Sequence, residues 1–492
     1  MTSLSPRRGE ASAKNLWFAA VLVVTNVVYR LPGLLHAHDV HSDAAVVALQ
    51  AMHLLRGEFS RLLWGASYQG TLEPGITALF FAAGGPTPLM LALSALTGHL
   101  VVVLLGWRLL LRRLEPAKAF ALSLVLVFTP QAINHMAWVP QPRIWCIALV
   151  FLSVFLIDLA TPLALAAGMF VGLLSLWADL FAMQLMIPVL IFACLCLTSR
   201  RHALALALGL GAGIAAVVFL RTGARVFATP GGMALSNVPK NGKLLLENCL
   251  PMILGLQVWD PDRWEPPAVW RAWQWLGAGV FTLSVAAAAP LALAKSRIPW
   301  ELRRLGLLGA GAALLALVAF LPSGSPQDLW AARYLVGIVF FAPFALAPLA
   351  HALTLRGLTV AVLVPYLSVQ AVSGLRAWGV KRLALPPAHH EEDELAAFLR
   401  ARNIRYAAAP YWLAYRLTFL FQENPIVTPL DGARYQPWGE SFEREEIVAY
   451  LVHQSQQPEV SLDDLLNRLQ QQPGTTLEVA RVAEYTVVLR HR

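Results

Sequence analysis

Charge is what this sequence has least of. Lys, Arg, Asp and Glu make up 14% of its 492 residues, while apolar residues make up 57%. Ordinary soluble domains carry roughly 25% charged and about 45–50% apolar residues. A soluble globule of this length could not cover so much apolar surface, and the same shortage excludes disorder and coiled coil. Cysteine is scarce too. Cys146, Cys194, Cys196 and Cys249 are the whole set, and their spacing suggests neither a disulfide framework nor a zinc site. No internal repeat is evident, which argues against an inverted-repeat transporter. No basic stripe with interleaved aromatics is present, so the net charge of +9 does not point to nucleic acid. It fits Arg and Lys at helix ends facing anionic headgroups. The polar, basic start from Met1 to Lys14 lacks a small-residue cleavage site after its apolar run, so that run reads as a retained first span.

What is present is a series of long apolar runs. They lie at 15–35, 89–111, 117–130, 144–160, 162–178, 180–197, 203–220, 272–294, 302–321, 333–353 and 357–375. The sequence therefore predicts an all-α polytopic membrane protein of about eleven spans, some short or tilted. A run at 74–83 is too short to span and reads as re-entrant or juxtamembrane. With the N-terminus and its Arg7, Arg8 and Lys14 in the cytoplasm, every compact basic cluster falls on that side: Arg112, Arg113 and Lys118; Arg200 and Arg201; Lys295, Arg297, Arg303 and Arg304; Arg356. Segments 36–88 and 221–271 then face outward. So does the tail, giving a membrane module over 1–375 and an external domain over 376–492. In the tail, 391–402 reads as an amphipathic helix, 404–409, 424–428 and 482–490 as strands, and 443–455 and 461–470 as helices. The expectation is a small external C-terminal α/β domain.

The first outer segment carries the densest chemistry. It reads His36-Ala37-His38-Asp39-Val40-His41-Ser42-Asp43-Ala44-Ala45, with a helix expected over 43–56. Ser42 or Asp43 is placed to cap that helix, and an Asp near its start suits the dipole. The histidines with Asp39 do not form a recognised ligand pattern, so no cofactor is expected and a divalent metal is not indicated. Further along stand Tyr68-Gln69-Gly70-Thr71-Leu72-Glu73, then Arg143, then Trp177-Ala178-Asp179, then Arg333-Tyr334 opening a late span. Asp179 at that depth is costly unless it faces a cavity or a partner. Lys240 and Lys243 read as solvated, Asp158 as interfacial, and the tail aromatics Tyr406, Tyr411, Trp412, Tyr415, Tyr435 and Trp438 as core.

Three motifs, Ser42-Asp43-Ala44-Ala45, Leu55-Arg56-Gly57-Glu58 and Tyr68-Gln69-Gly70-Thr71-Leu72-Glu73, taken in order, resemble bacterial membrane glycosyltransferases of the protein O-mannosyltransferase-like family, family 39 with the GT-C fold. These are similar in turn to the aminoarabinose transferases of lipid A modification. The resemblance extends to Ala332-Arg333-Tyr334-Leu335 and to Tyr411-Trp412-Leu413-Ala414-Tyr415-Arg416-Leu417-Thr418-Phe419. It implies a polyprenyl-phosphate sugar donor held in the membrane and inverting transfer at the outer face. The acceptor would be a protein, lipid or polysaccharide. It also implies an Asp general base in the first outer loop, a position Asp43 matches. The family's usual Asp-Glu is here Asp43-Ala44, so Asp39 or Glu73 would stand in for the second acid. The chemistry asks for a base on the incoming hydroxyl, cations on the departing phosphate and an apolar groove for the tail. Arg333 is the first candidate for the phosphate, with Tyr334, Arg143, Tyr68, Gln69 and Asp179 as further substrate-binding residues. The competing reading is a transporter or flippase of lipid-linked sugars, which would place its charges mid-span.

Overall fold

The computed structural model describes residues 8–141, 143–223, 232–258, 264–294, 298–378, 390–453, 461–471 and 476–491. Arg7, Lys295 and Arg297 lie outside the described residues.

Among the described residues, seven helices are long and apolar enough to cross a membrane: Ala13–Leu35, Pro88–Leu111, Arg200–Leu220, Ala268–Leu293, Trp300–Phe320, Leu329–Ala352 and Leu355–Ala377. This is a multi-pass membrane protein. Three more of the expected runs form shorter helices, Arg143–Asp158, Pro162–Ala178 and Met183–Leu195. The run expected at 117–130 is not one straight span. Pro116–Val127 and Gln131–Ala137 meet at 82°, because Pro130 offers no N–H to continue the ladder. The carbonyl freed at Val127 accepts a 2.9 Å bond from the buried Arg30 guanidinium, which also bonds Asn26 Oδ1 at 2.8 Å. The bend is thus satisfied from the first helix. The short run at 74–83 forms the helix Leu72–Gly84.

Large apolar side chains stay exposed along the long helices, among them Leu204, Leu208, Trp275 and Leu283. In lipid such a face is at rest, and only the inward stripe needs protein partners. The turns at one end of the bundle are tied to each other. Arg112 and Arg113 pair with the buried Asp158, His202 meets the Ala160 carbonyl, Arg304 meets Cys196, and Lys118 donates to the Leu353 carbonyl. Asp158 is therefore an ion-pair partner in this network. The four cysteines are free.

The other end carries the site. A short hairpin, β1 (Leu62–Leu63) and β2 (Ala66–Gly70), follows the helix Ser42–Leu55. The C-terminal domain is a five-stranded mixed sheet in the order β4-β3-β5-β7-β6. Its strands are β3 (Tyr406–Ala409), β4 (Ile426–Pro429), β5 (Ile447–His453), β6 (Thr476–Val482) and β7 (Tyr485–His491). Helices Glu391–Ala401 and Leu462–Gln470 form as the sequence predicts. The helix expected at 443–455 does not: 447–453 form β5, the strand paired with both β3 and β7, and 454–455 lie outside the described residues. Its two faces both face a core, Ala449 and Leu451 on one side and Val448, Tyr450 and Val452 on the other. A strand buried on both faces reads as a continuous apolar run with no alternation, which is why sequence periodicity misassigns it.

The domain is joined to the membrane module through a shared core. Ala45, Ala48, Leu49 and Met52 of the helix Ser42–Leu55 cluster with Tyr415, Phe419 and Trp438 of the tail. Tyr415 and Trp438 are core, as expected.

Candidate active site

Two cavities adjoin at this end. The first is a polar cleft of about 540 Å³. Asp39, His41 and Ala44 contribute from the first loop and helix, His135 and Gln141 from the middle of the chain, and Arg333 and Trp412 from the late chain. The second is a groove of about 370 Å³. Leu180, Ile187, Leu315, Val318 and Phe320 line its length, and Tyr68, Arg143, Asp179 and Tyr334 stand at its polar end. Ile187 and Val318 are exposed, so the groove opens sideways, where lipid would be. The two cavities meet along two short stretches. Arg333 faces the cleft and its neighbour Tyr334 the groove; Gln141 faces the cleft and Arg143 the groove.

The polar head of the groove is tightly arranged. Asp179 ends the helix Pro162–Ala178, and its side chain accepts from the Phe181 N–H at 2.8 Å. Gln69 Nε2 donates to Asp179 Oδ2 at 3.0 Å, and Arg143 Nε lies 3.7 Å from the same oxygen. The Arg143 guanidinium sits 4.9 Å from the Tyr334 ring centroid, a cation–π distance. Gly70 makes this junction feasible, because a Cβ there would stand 2.5 Å from the Trp177 carbonyl oxygen. Arg221 donates to the Ser67 and Tyr68 carbonyls and holds β2 against it. Glu73 is buried nearby. Burial pushes its carboxyl well above the usual range, the Asp179 charge adds to that, and the Gln141 backbone N–H opposes it. It is held neutral.

Asp43 is not a cap. The N-cap of Ser42–Leu55 is His41, which makes no side-chain capping bond. Ser42 instead donates to the Tyr411 carbonyl at 2.7 Å. Asp43 Oδ1 accepts from Tyr411 Oη at 2.5 Å and from Arg434 at 2.9 Å. Both donors meet one oxygen, and Oδ2 takes no bond among the described residues. The caps were misread because the tail supplies partners that outcompete a local turn. Arg434 reaches Asp43 by crossing Gly65, whose φ of +65° suits glycine and whose missing side chain leaves room for the Arg434 stem. Asp43 influences His41 on the cleft side and Tyr68 on the groove side. Burial lowers the His41 pKa, Asp43 opposes this, and Arg333 and Arg434 add to it.

Of the residues singled out in the sequence, Tyr68, Arg143, Asp179 and Tyr334 share the groove head, and Gln69 bonds to it. Asp39 and Arg333 share the cleft. Asp43 lines neither cavity; its neighbours His41 and Ala44 line the cleft, and Glu73 is buried. Ala44, where the resembled family has Glu, lines the cleft wall with Asp39. Lys240 and Lys243 are exposed, as expected. Sequence reasoning missed the part the tail plays. Tyr411 and Arg434 hold Asp43, and Trp412 lines the cleft. The tail motif around Tyr411 was a signal for two of these; Arg434 had none.

No family model matches this sequence, and no curated protein matches it. Among solved structures the chain is similar to ArnT from Cupriavidus metallidurans in the apo state, with 12% identity, a TM-score of 0.47 and 98% of each chain covered. The same protein bound to undecaprenyl phosphate is similar at 10% identity and a TM-score of 0.43, covering 96% of this chain and 97% of that one. The archaeal oligosaccharyltransferase AglB from Archaeoglobus fulgidus, in complex with an inhibitory peptide and a dolichol-phosphate, is similar at 10% identity and a TM-score of 0.46. There 89% of this chain and 69% of that one are covered.

Proposed function

We propose that this protein is a membrane glycosyltransferase that moves a sugar from a polyprenyl-phosphate donor to an acceptor hydroxyl at the outer face. The observation that carries the reading is the junction of an apolar, laterally open groove with a polar cleft, marked by Arg143 and Tyr334 on one side and Arg333 on the other. The polyprenyl chain lies in the groove among Leu180, Ile187 and Val318, and its phosphate rests at Arg143, Tyr334 and Tyr68. The sugar projects past Tyr334 into the cleft, where the acceptor enters.

In the transfer the acceptor oxygen attacks the anomeric carbon. The bond from that carbon to the phosphate oxygen breaks, and the polyprenyl phosphate leaves with the electron pair. A phosphate is already a good leaving group, so no acid need protonate it. Arg143 stabilises the charge that develops there. Asp43 takes the proton of the incoming hydroxyl through Oδ2, while Tyr411 and Arg434 fix the carboxylate by Oδ1. Attack from the face opposite the phosphate inverts the anomeric centre. Asp39, which shares the cleft with Ala44, stands in for the second acid of the resembled family. Glu73, buried nearby, supports the groove head.

The test is purified protein in detergent with a radiolabelled polyprenyl-phosphate sugar and vesicles of the host membrane. Label released to water or transferred to an acceptor supports the reading. Label that crosses vesicles still attached to its lipid overturns it in favour of a transporter.

A further inference from the structure

The loop that enters the cleft is also gripped from behind. His38, in that loop, and His390 and Glu392, at the start of the helix Glu391–Ala401, each offer one ligand atom, and the three atoms lie within 4.8 Å of one another. The imidazoles of His38 and His390 stack, with centroids 3.6 Å apart and planes 19° from parallel. His38 Nε2 is buried, has no hydrogen bond, and lies 3.9 Å from Glu392 Oε2. His390 precedes the helix without capping it. Glu392 Oε1 is taken by Arg416 at 2.5 Å, which leaves Oε2 turned to the histidines.

We propose that His38, His390 and Glu392 bind a divalent zinc ion that staples the cleft loop to the C-terminal domain. Two imidazoles and one carboxylate are a familiar zinc donor set, with bonds of about 2.0–2.2 Å and a fourth position left for water. Donors in a tetrahedral shell with such bonds stand about 3.3–3.6 Å apart, so a pair at 4.8 Å has to close by about 1.2–1.5 Å and the stacked rings have to fan apart to aim at one ion. The Arg416 bond to Oε1 plays the part of the outer partner that orients a ligating carboxylate. His38 Nε2 is too far from Glu392 Oε2 for a direct hydrogen bond, and the His390 ring is stacked beside it. A cation at the centre satisfies all three at once. The site is separate from the groove and does not depend on the proposed transfer. His38 adjoins Asp39 and lies three residues from His41, so the metal would hold the loop that lines the cleft.

The experiment uses the full chain, free of any affinity tag, in detergent. After chelator treatment and dialysis against micromolar zinc, metal content is measured and thermal unfolding is followed with and without zinc. The expectation is about one zinc per chain, with a melting temperature raised by zinc because only the folded state holds the site. His390→Ala and Glu392→Gln should bind at least about tenfold more weakly, the low end of what even an outer partner of a metal is worth, and should lose the zinc-dependent shift. His390 makes no capping bond, so its variant folds and decides the matter even where His38→Ala does not. Wild-type protein that takes up no zinc overturns the proposal. So does zinc that persists in His390→Ala but is lost in His36→Ala or Asp39→Asn, since the metal would then sit in the cleft.

Discussion

At the scale of single residues the sharpest question is what Asp43 does. Asp43→Asn keeps the size and an acceptor for Tyr411 and Arg434. Because His41 rather than Asp43 is the N-cap, no capping energy is at stake. Expression and melting temperature should stay near wild type while transfer falls by at least about 10²-fold, the low end of a general base's worth. Asp39→Asn belongs in the same assay. If it abolishes transfer while Asp43→Asn does not, the base is in the cleft; if both variants transfer normally, this loop is not catalytic. The two arginines separate in a different way. Arg143 is buried against Asp179, so Arg143→Ala strands a carboxylate and lowers stability as well as activity. Arg143→Lys keeps the charge and loses the planar fork; it should melt near wild type and raise the KM for the donor. Arg333 makes no ion pair among the described residues. Arg333→Ala should leave the melting temperature unchanged and cost transfer about 10²-fold. Full activity would reduce Arg333 to a headgroup anchor.

At the scale of elements two junctions carry the weight. One is the basic turn where Asp158, its side chain fully buried, pairs with Arg112 and Arg113. Asp158→Ala leaves Arg113 buried without its anion and should cost about 3–5 kcal/mol, read as a lower melting temperature in detergent with the assembly otherwise intact. The other joins the helix Ser42–Leu55 to the tail. His53 lies between Glu58 at 2.6 Å and Glu423 at 2.9 Å, and Arg56 and Tyr435 hold the two carboxylates. Burial alone would lower His53, but the Glu423 and Glu58 hydrogen bonds outweigh it, and the group sits above its ordinary 6.5. A raised histidine adds stability that is complete below that ordinary value and is lost as pH climbs through the raised one. Glu58, through its His53 bond, is lowered from 4.5; Glu423 is lowered too, where bonds to His53 and Arg56 outweigh burial. Their contribution is present above about 4.5 and fades on acidification. Docking of the tail should therefore be firmest between these limits. Limited proteolysis of the tail should speed up as pH rises past neutrality, and His53→Gln should flatten that dependence.

At the scale of the whole molecule the turns bearing the basic clusters are tied to one another at one end, through Asp158, Ala160, Cys196 and Leu353. The C-terminal sheet packs against the loop and helix at the other. The preference of Arg and Lys for the cytoplasmic side supports the proposal that the site and the tail lie outside. A reporter active only outside the cytoplasm, fused at Arg492, should be active. Activity of a cytoplasmic reporter at the same place would invert the molecule and move the transfer reaction to the other face.

Much of this was open to reading along the chain. Apolar length marks a spanning helix whatever its neighbours, so the seven long apolar helices among the described residues announced themselves, as did the amphipathic helices Glu391–Ala401 and Leu462–Gln470. Residues costly to place in apolar surroundings, Arg143 and Asp179 among them, also stood out. Other features were decided only in three dimensions. Strand β5 is apolar on both faces because both are covered, and no local period records that. The bend after Val127 needed Arg30 from another helix to satisfy it. The partners of Asp43 come from 368 and 391 positions away. A short-range pattern such as a helix cap cannot foresee them, because which donor reaches a carboxylate is set by how the tail packs on the helix Ser42–Leu55. Side-chain type and local period are properties of the chain; which side chains converge on one oxygen is a property of the closed fold.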